Sequence, residues 1–395
     1  MKALSDLRVL ELGQLLAGPF TGYMLAGFGA EVIKVEPPGQ GDPMRSWRKV
    51  HEGTSLWWYS LGRNKKSITL DLRKPQGVAV LKQLVAKCDV LIENFRPGRM
   101  EEWGLGYPEL SREHPGLVMV RISGWGQTGP YAARPGFASV AEGVGGLRYI
   151  VGDGDRPPVR TGLSIGDSLA GLHAVIGTLT ALHHRERTGQ GQVVDTAIYE
   201  SVFNMMESTL PEFDRAGFVR ERSGARLPGI VPSNTYRCSD GKYVIIGGNG
   251  DSIFQRLMVA VGSPRLATDP RLRDNPGRVQ HEAEIDRAIE AFTSVHPYDE
   301  VERALMAAEV PVGPIYSIED IAQDPQYLSR QMFDSVRLPD GSPLRVPAYV
   351  PKLSETPATT EWAGPRLGEH NQAVYRELLG MSAEQLNALI EAKVI

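Results

Sequence analysis

The sequence predicts an α/β protein with a parallel sheet and helices on both faces, followed by a smaller α+β domain. Three observations carry that class. Short apolar runs alternate with helix-like segments through the first two hundred residues, as strands joined by crossover helices do. Turn residues crowd around two short strand-like runs at 225–250, which reads as a fresh start. The composition, 42% apolar and 23% charged, is that of a globular chain. The 43 glycines and 28 prolines among 395 residues exceed the usual share but stay below that of low-complexity chains. They point to many specified turns.

Residues 8–13 (RVLELG) read as a buried strand. The turn LLAGP follows, and Pro19 suits the first position of a helix over 20–28. Residues 31–36 (EVIKVE) form the second strand. Further strands fall at 67–70, 90–92 and 118–122, with a helix between Pro75 and Cys88. The strongest helix covers 167–185, where Leu169, Leu172, Ile176 and Leu179 recur at helical spacing. Ala170, Ala174, Gly177 and Ala181 make a second stripe of small residues, suited to close packing. The turn TGQGQ leads into VVDTAIYES, with a helix from Ile198. In the second domain Asp240-Gly241 marks a hairpin, and helices follow at 254–261, 281–292 and 298–308. Six prolines between Asp334 and Pro365 predict an extended connection across the surface. Ser382 and Gln385 form a capping box for a final helix.

The net charge of −4 argues against general nucleic-acid binding. The charge is uneven: residues 1–100 carry 15 Lys/Arg against 9 Asp/Glu, so the rest carries −10. A cationic first third suits an anionic ligand. Cys88 and Cys238 make neither a disulfide framework nor a zinc site. The opening MKALSDLRVLELG is too polar for a signal peptide, and no run of 18 apolar residues predicts a spanning helix. The expectation is a soluble cytoplasmic protein with no membrane or nucleic-acid partner.

The opening strand, turn and helix invite a dinucleotide-binding reading, and Glu36 ends the second strand where such folds place a ribose-binding acid. The turn reads GQLLAG instead of GxGxxG, however, and its larger residues block close approach of a pyrophosphate. Basic residues cluster at Arg45, Arg48 and Lys49, at Arg63, Lys65 and Lys66, at Arg73 and Lys74, and at Arg96 and Arg99. Each cluster sits where a strand meets a loop, the place where doubly wound sheets bind ligands. The eight histidines lack metal-ligand spacing, so no metal is expected. Asp167 stands after the glycine-rich turn of TGLSIGDSLAGL. It reads either as a helix N-cap or as an ionised carboxylate able to attack an activated carbonyl.

These residues together resemble the class III coenzyme A transferases, the formyl-CoA transferase and carnitine CoA-transferase group, nearest the dicarboxylate-using branch. The resemblance runs over essentially the whole chain. It is carried by RVLELGQLLAGPFTGYMLAGFGAEVIKVEPPGQGDPMR, GRNKKSITLDLRKPQG, CDVLIENFRPGRMEEWGLGY and ISGWGQTGPYAARPGF. VRTGLSIGDSLAGLHAVIGTLTAL and the tail LGEHNQAVYRELLGMSAEQL complete it.

The resemblance implies a Rossmann-like large domain built from both chain ends (1–205 and 325–395) and a small domain at 225–315. Linkers fall at 206–224 and 316–350, and two subunits interlock as a homodimer. It implies an acyl-CoA and a carboxylic acid as substrates, with coenzyme A entering as a thioester substrate and no tightly bound cofactor. Asp167 aligns with the catalytic aspartate, which carries the group through a mixed anhydride and an aspartyl-CoA thioester. Asn94, Phe95, Arg96 and Gly98 match the CoA-contacting loop. Arg45, and Leu70 and Arg73 from LDLRKP, fall at phosphate or adenosine contacts. Leu15 and Leu16 occupy the turn that faces the thioester, with amides suited to an oxyanion site. Arg134 and Arg160 are candidates for a second carboxylate. Phe137 stands in the segment Gly136-Phe137-Ala138, where the related racemases carry Gly-His-Asp. Many transferases also have an acid where Ala138 stands. Gly247, Gly248, Asn249 and Gly250 read as a tight strand-to-helix turn or as a flap over the site. A racemase-like reaction and a non-catalytic acyl-CoA-binding role are the alternatives. The first lacks its histidine, and the second predicts that replacing Asp167 has no effect.

Overall fold

The computed structural model describes residues 2–395. The chain forms two compact units. The first takes the stretch up to Leu147, Thr161–Gly217 and Gln326–Ile395; the second takes Arg148–Arg160 and Phe218–Pro325. Both chain ends thus belong to the first unit. The second unit is wider than 225–315 and includes a stretch that the sequence reading put in the large domain. Backbone ties explain this: the Gly224 amide donates to the Gly152 carbonyl at 2.9 Å, and Arg222 reaches the Tyr149 carbonyl at 3.0 Å. Within the expected linker 206–224, Thr209–Ala216 is a helix of the first unit.

The first unit is built on a six-stranded parallel sheet. Its strands are β1 (Arg8–Glu11), β2 (Glu31–Glu36), β3 (Lys65–Thr69), β4 (Val90–Glu93), β5 (Val118–Ser123) and β6 (Val193–Ala197). Their order is β3-β2-β1-β4-β5-β6, the doubly wound arrangement, and it reverses direction between β1 and β4. The strands read as apolar runs because both faces are covered. On one face Leu10, Ile33 and Leu91 pack with helix α2 (Pro75–Val85) and the chain's last helix (Ala383–Glu391). On the other, Val9, Val32, Ile92 and Val120 pack with helix α1 (Ala17–Gly27) and a longer helix from residue 165. Pro19 is the third residue of α1 instead of its first. It still lies within the first turn, whose amides have no intrahelical partner.

Three more helices complete this face: α3 (Ala138–Val144), α4 (Ile165–Thr188) and α5 (Ile198–Phe203). In α4 the usual amphipathic logic is inverted. Ala170, Ala174 and Ala181 are buried against α1 and the sheet, while Leu172, Ile176 and Leu179 are 41%, 62% and 42% exposed. The small residues serve close packing within this subunit. α4 has 24 residues, and its most apolar 18-residue window has a mean hydropathy of 1.3, so by length and composition it could cross a membrane, a segment the sequence reading did not expect. Its packing against α1 and the sheet is that of a core helix.

The edge of the sheet is closed by the tail. The Ser67 amide donates to His370 Nδ1 at 3.2 Å, the His370 amide returns a bond to the Ser67 carbonyl at 2.9 Å, and the Thr69 amide donates to Asn371 Oδ1 at 2.9 Å. The tail's backbone and side chains thus take the place of a seventh strand on an otherwise open edge. The proline-rich return is not uniformly extended. It begins with an antiparallel hairpin of Phe333–Arg337 and Pro343–Pro347, whose prolines sit at strand ends. The capping box of Ser382 and Gln385 forms as read from the sequence.

The second unit has a three-stranded antiparallel sheet of β7 (Ser233–Arg237), β8 (Tyr243–Gly247) and β9 (Val312–Pro314), with β8 central. The hairpin turns at Asp240-Gly241. Helices α6 (Asp251–Ala260), α7 (Glu282–Thr293) and α8 (Tyr298–Ala307) cover it around Val244, Ile246, Phe254, Leu257, Ile289 and Leu305.

Candidate active site

The turn between β1 and α1 lies where the sheet order reverses, and it is held from two sides. From β4, Asn94 accepts the Gln14 amide at 2.8 Å and donates back to the Gln14 carbonyl at 2.8 Å. The two bonds tie the carboxyl ends of the two strands that flank the switch point, where doubly wound sheets bind ligands. Asn94 therefore shapes the turn.

From beneath, four buried charges hold the same turn. Lys34 on β2 reaches the Gly13 carbonyl and pairs with Asp42 at 2.8 Å and Glu11 at 3.2 Å. Lys65 on β3 donates to the Pro19 carbonyl at 2.6 Å and pairs with Glu11 at 2.8 Å. Asp42 in turn accepts the Leu15 amide at 3.0 Å. Two cations and two anions balance one another away from water, the condition under which buried charges are tolerated. Burial alone would lower the Lys34 ammonium, but Asp42, Glu11 and Glu36 outweigh it and raise it above its ordinary value. Burial also works to raise the Asp42 carboxyl. Lys34 and the Met44 and Leu15 amides win, holding it below the usual carboxylate range.

This network corrects one expectation. Leu15 sits at φ +63°, and its amide is committed to Asp42, so it is not an oxyanion donor in this arrangement. Leu16 precedes α1 at its N-cap position and its side chain is buried. Arg45 is corrected too. Its guanidinium forms two bonds to Glu36 at 2.7 and 2.8 Å, donates to the Pro365 carbonyl at 3.0 Å and stacks on Trp58 at 3.8 Å. It braces the fold, and it occupies the acid that a ribose would need.

Beside the turn lies a cleft of about 210 Å³ at the carboxyl ends of β1, β2, β3 and β4. Leu70, Arg73 and Phe95 line it together, joined by Gln14, Gln40 and Trp103. Phe95 meets Trp103 edge to face at 5.2 Å, and its amide donates to Glu93 Oε2 at 2.7 Å. Burial pushes the Glu93 carboxyl up to about 7, against the pull of Arg121 at 2.8 Å. Arg73 is 79% exposed at the rim and makes two bonds to Asp71, at 2.8 and 3.0 Å. Arg96 is exposed on the adjoining loop. Gly98 adopts φ +90° ahead of the short Arg99–Glu102 helix with open space where a side chain would be. The positive φ explains the glycine.

Asp167 is the third residue of α4, with Ser164 at the N-cap. It is therefore not the cap itself. It stands half-buried in the first turn, where the helix dipole favours a carboxylate by about 0.3–1 kcal/mol. The next turn of α4 touches α1, where the Thr21 hydroxyl approaches the Gly171 carbonyl at 3.4 Å. This contact places the head of α4 on the side of the sheet where α1 begins. Arg134 is exposed and stacked on Tyr131 at 3.6 Å, and Phe137 is 68% exposed immediately before α3.

In the second unit Gly247 ends β8 and Gly250 precedes α6, so the glycine-rich stretch is the strand-to-helix turn. Buried Arg278 pins it, donating to the Asn249 carbonyl and to Asp251, both at 2.8 Å. Gly248 is buried against Leu257 and Pro232. A freely hinged flap does not fit these ties.

Among the described residues, His51, Glu52 and Asp340 come together from distant positions with ligand-like spacing. They are exposed or half-exposed, and His51 Nε2 already pairs with Asp340 at 2.9 Å. Sequence reasoning missed Lys34, Asp42, Gln14 and Trp103. A lysine inside the apolar strand EVIKVE was the one available signal.

Comparison with known proteins agrees with this arrangement. CoA-transferase family III matches residues 4–371. The chain is 51% identical over 393 residues to the succinyl-CoA–D-citramalate CoA-transferase of Chloroflexus aurantiacus, covering 99% of this chain and 98% of that protein. It is 35% identical to the succinate–glutarate CoA-transferase of Agrobacterium fabrum, covering 95% of each. The crystal structure of a CAIB/BAIF family protein from Brucella suis superimposes with a TM-score of 0.84 at 34% identity, over 95% of this chain and 99% of that one. A doubly wound sheet with a built turn at its switch point, matched along nearly its whole length by such relatives, leads to one conclusion: the chain belongs to CoA-transferase family III and is a CoA-transferase.

Proposed function

We propose that the enzyme moves coenzyme A from succinyl-CoA to a small dicarboxylic acid, with Asp167 as the covalent carrier. The observation that carries the reading is the position of Asp167: a carboxylate in the first turn of α4, inside a chain 51% identical to a transferase named for succinyl-CoA and a dicarboxylate. An Asp167 oxygen attacks the thioester carbonyl carbon. The carbon–sulfur bond breaks, leaving a mixed anhydride, and the thiolate departs with the electron pair. The thiolate then attacks the aspartyl carbonyl and releases succinate, giving an aspartyl-CoA thioester. The acceptor carboxylate attacks that thioester and expels the thiolate, and the thiolate takes the acyl group from the second anhydride. Asp167 returns as a carboxylate, and no proton or electron is gained or lost. The cleft at Leu70, Arg73 and Phe95 suits the CoA moiety, with Arg73 exchanging Asp71 for phosphate. A homodimer is part of the proposal. The exposed apolar face of α4 suits a protein partner.

The test is to mix enzyme with succinyl-CoA, trap with borohydride or hydroxylamine and map the mass change. The expected site is Asp167, and Asp167→Ala should lower transfer by more than about 10³-fold. Modification elsewhere, or none in an active sample, would overturn the mechanism. A carboxylate panel identifies the acceptor. Acceptor-independent exchange of the α-hydrogen would favour racemisation instead.

A further inference from the structure

Ser164 occupies the N-cap of α4, yet its side chain makes no capping bond to the first turn. A different residue faces that turn. Glu142, on α3, is 1% exposed, and its Oε1 accepts the Gly166 amide at 3.4 Å. Gly166 precedes Asp167 in the chain and is buried. A side chain at Gly166 would lie 3.2 Å from Glu142 Cγ and 3.1 Å from Ile198 on α5, so the glycine allows α3 and α5 to close on the head of α4. Glu142 also lies one helical turn beyond Ala138, on the same face of α3, and both are buried. Glu142 thus sets a buried carboxylate on the face of α3 that also carries Ala138. A carboxylate in this place acts as a cap delivered from another helix, satisfying a first-turn amide that α4 cannot satisfy itself.

We propose that Glu142 is a positioning residue for the transfer reaction: by holding the first turn of α4 through the Gly166 amide, it fixes the direction of the Asp167 carboxylate. The inference rests on Asp167 being the nucleophile. Nucleophile placement is steeply rated. A displacement of about 1 Å can cost about 10²-fold in rate without a matching loss of binding.

The experiment compares Glu142→Gln with Glu142→Asp. Glutamine keeps an acceptor oxygen at the same reach, and aspartate keeps the charge but withdraws it by one carbon. Glu142→Gln should keep kcat within about threefold, whereas Glu142→Asp should lose about 10- to 100-fold in kcat with KM for the acyl-CoA little changed. The trapped Asp167 adduct should form correspondingly slowly in Glu142→Asp, with its melting temperature near that of the wild type. Equal and unimpaired rates in both variants would overturn the proposal. So would a slow Gln variant beside an unimpaired Asp variant, because charge and not reach would then matter. A fall in kcat matched by a fall in melting temperature would also overturn it, as the effect of a merely structural residue. If the wild type forms no Asp167 adduct at all, the nucleophile assignment fails first and takes this inference with it.

Discussion

At the residue scale the most informative side chain is Lys34. It lies in a strand that is otherwise apolar and is fully buried, but it is not an isolated charge. It joins Glu11, Asp42 and, through Glu11, Lys65, and with them it fixes the Gly13 carbonyl, the Leu15 amide and the Pro19 carbonyl. The turn at the switch point is thus cast by electrostatics from below. Replacing one member leaves the others uncompensated in a fully buried site. Lys34→Met should cost about 3–5 kcal/mol in a denaturant titration, because Asp42 and Glu11 lose a shared cation. A loss below about 1 kcal/mol would show that the network tolerates the gap. Asn94 gives a second expectation at this scale. Asn94→Ala removes both bonds to Gln14 and should lower activity more than stability, with loss of about 1–3 kcal/mol in folding. Activity assays beside thermal melts check that order.

Elements show where a single sequence informs and where it does not. β2 is read at its exact bounds, because the β-branched run EVIKVE lies between the turn residue Gly29 and the strand-ending Pro37-Pro38. α4 is read as a helix but not by its faces. Leucine spacing marks the helix, while the buried side is set by how closely α1 and the sheet approach, and that is a tertiary property. The proline-rich return is misread because proline is tolerated at strand ends, so its density conceals a hairpin. Asp167 is singled out by its sequence surroundings, whereas Glu142 is not, since nothing local distinguishes a surface glutamate from one folded against another helix. The tail's closure of β3 was equally invisible, and it carries a pH dependence. Burial lowers the His370 imidazole below 6.5, and its Nδ1 accepts the Ser67 amide, so the neutral ring is the one the fold uses. Its contribution is full above 6.5 and is lost as pH falls through the lowered folded value. Melting temperature should therefore fall below that pH. His370→Asn, which keeps an acceptor without a basic nitrogen, should flatten that part of the curve. An unchanged slope in this variant would remove His370 from the account.

The first unit places its candidate site at the carboxyl ends of its central strands and leaves large apolar side chains exposed elsewhere. In the first unit Leu172, Ile176 and Leu179 of α4 are exposed, as are Phe137, Val140 and Val144 before and along α3. Large apolar side chains in such number on two neighbouring helices are costly to leave in water, which supports the proposed interface with a second copy. The same helix buries its small residues inside the subunit, so the choice of which stripe faces out is not forced by size alone. A second copy of the chain covers this surface in the proposed homodimer. Light scattering on the purified protein at micromolar concentration should give about twice the chain mass of 43.3 kDa. Ile176→Asp, at a position 62% exposed, should shift that mass toward one chain while leaving the unit's own core intact. The same variant separates assembly from chemistry. If the Asp167 adduct still forms in monomers, each subunit carries a complete site; if it disappears while the melting transition persists, the partner completes the site. A wild-type protein that is monomeric across the concentration range would overturn the homodimer.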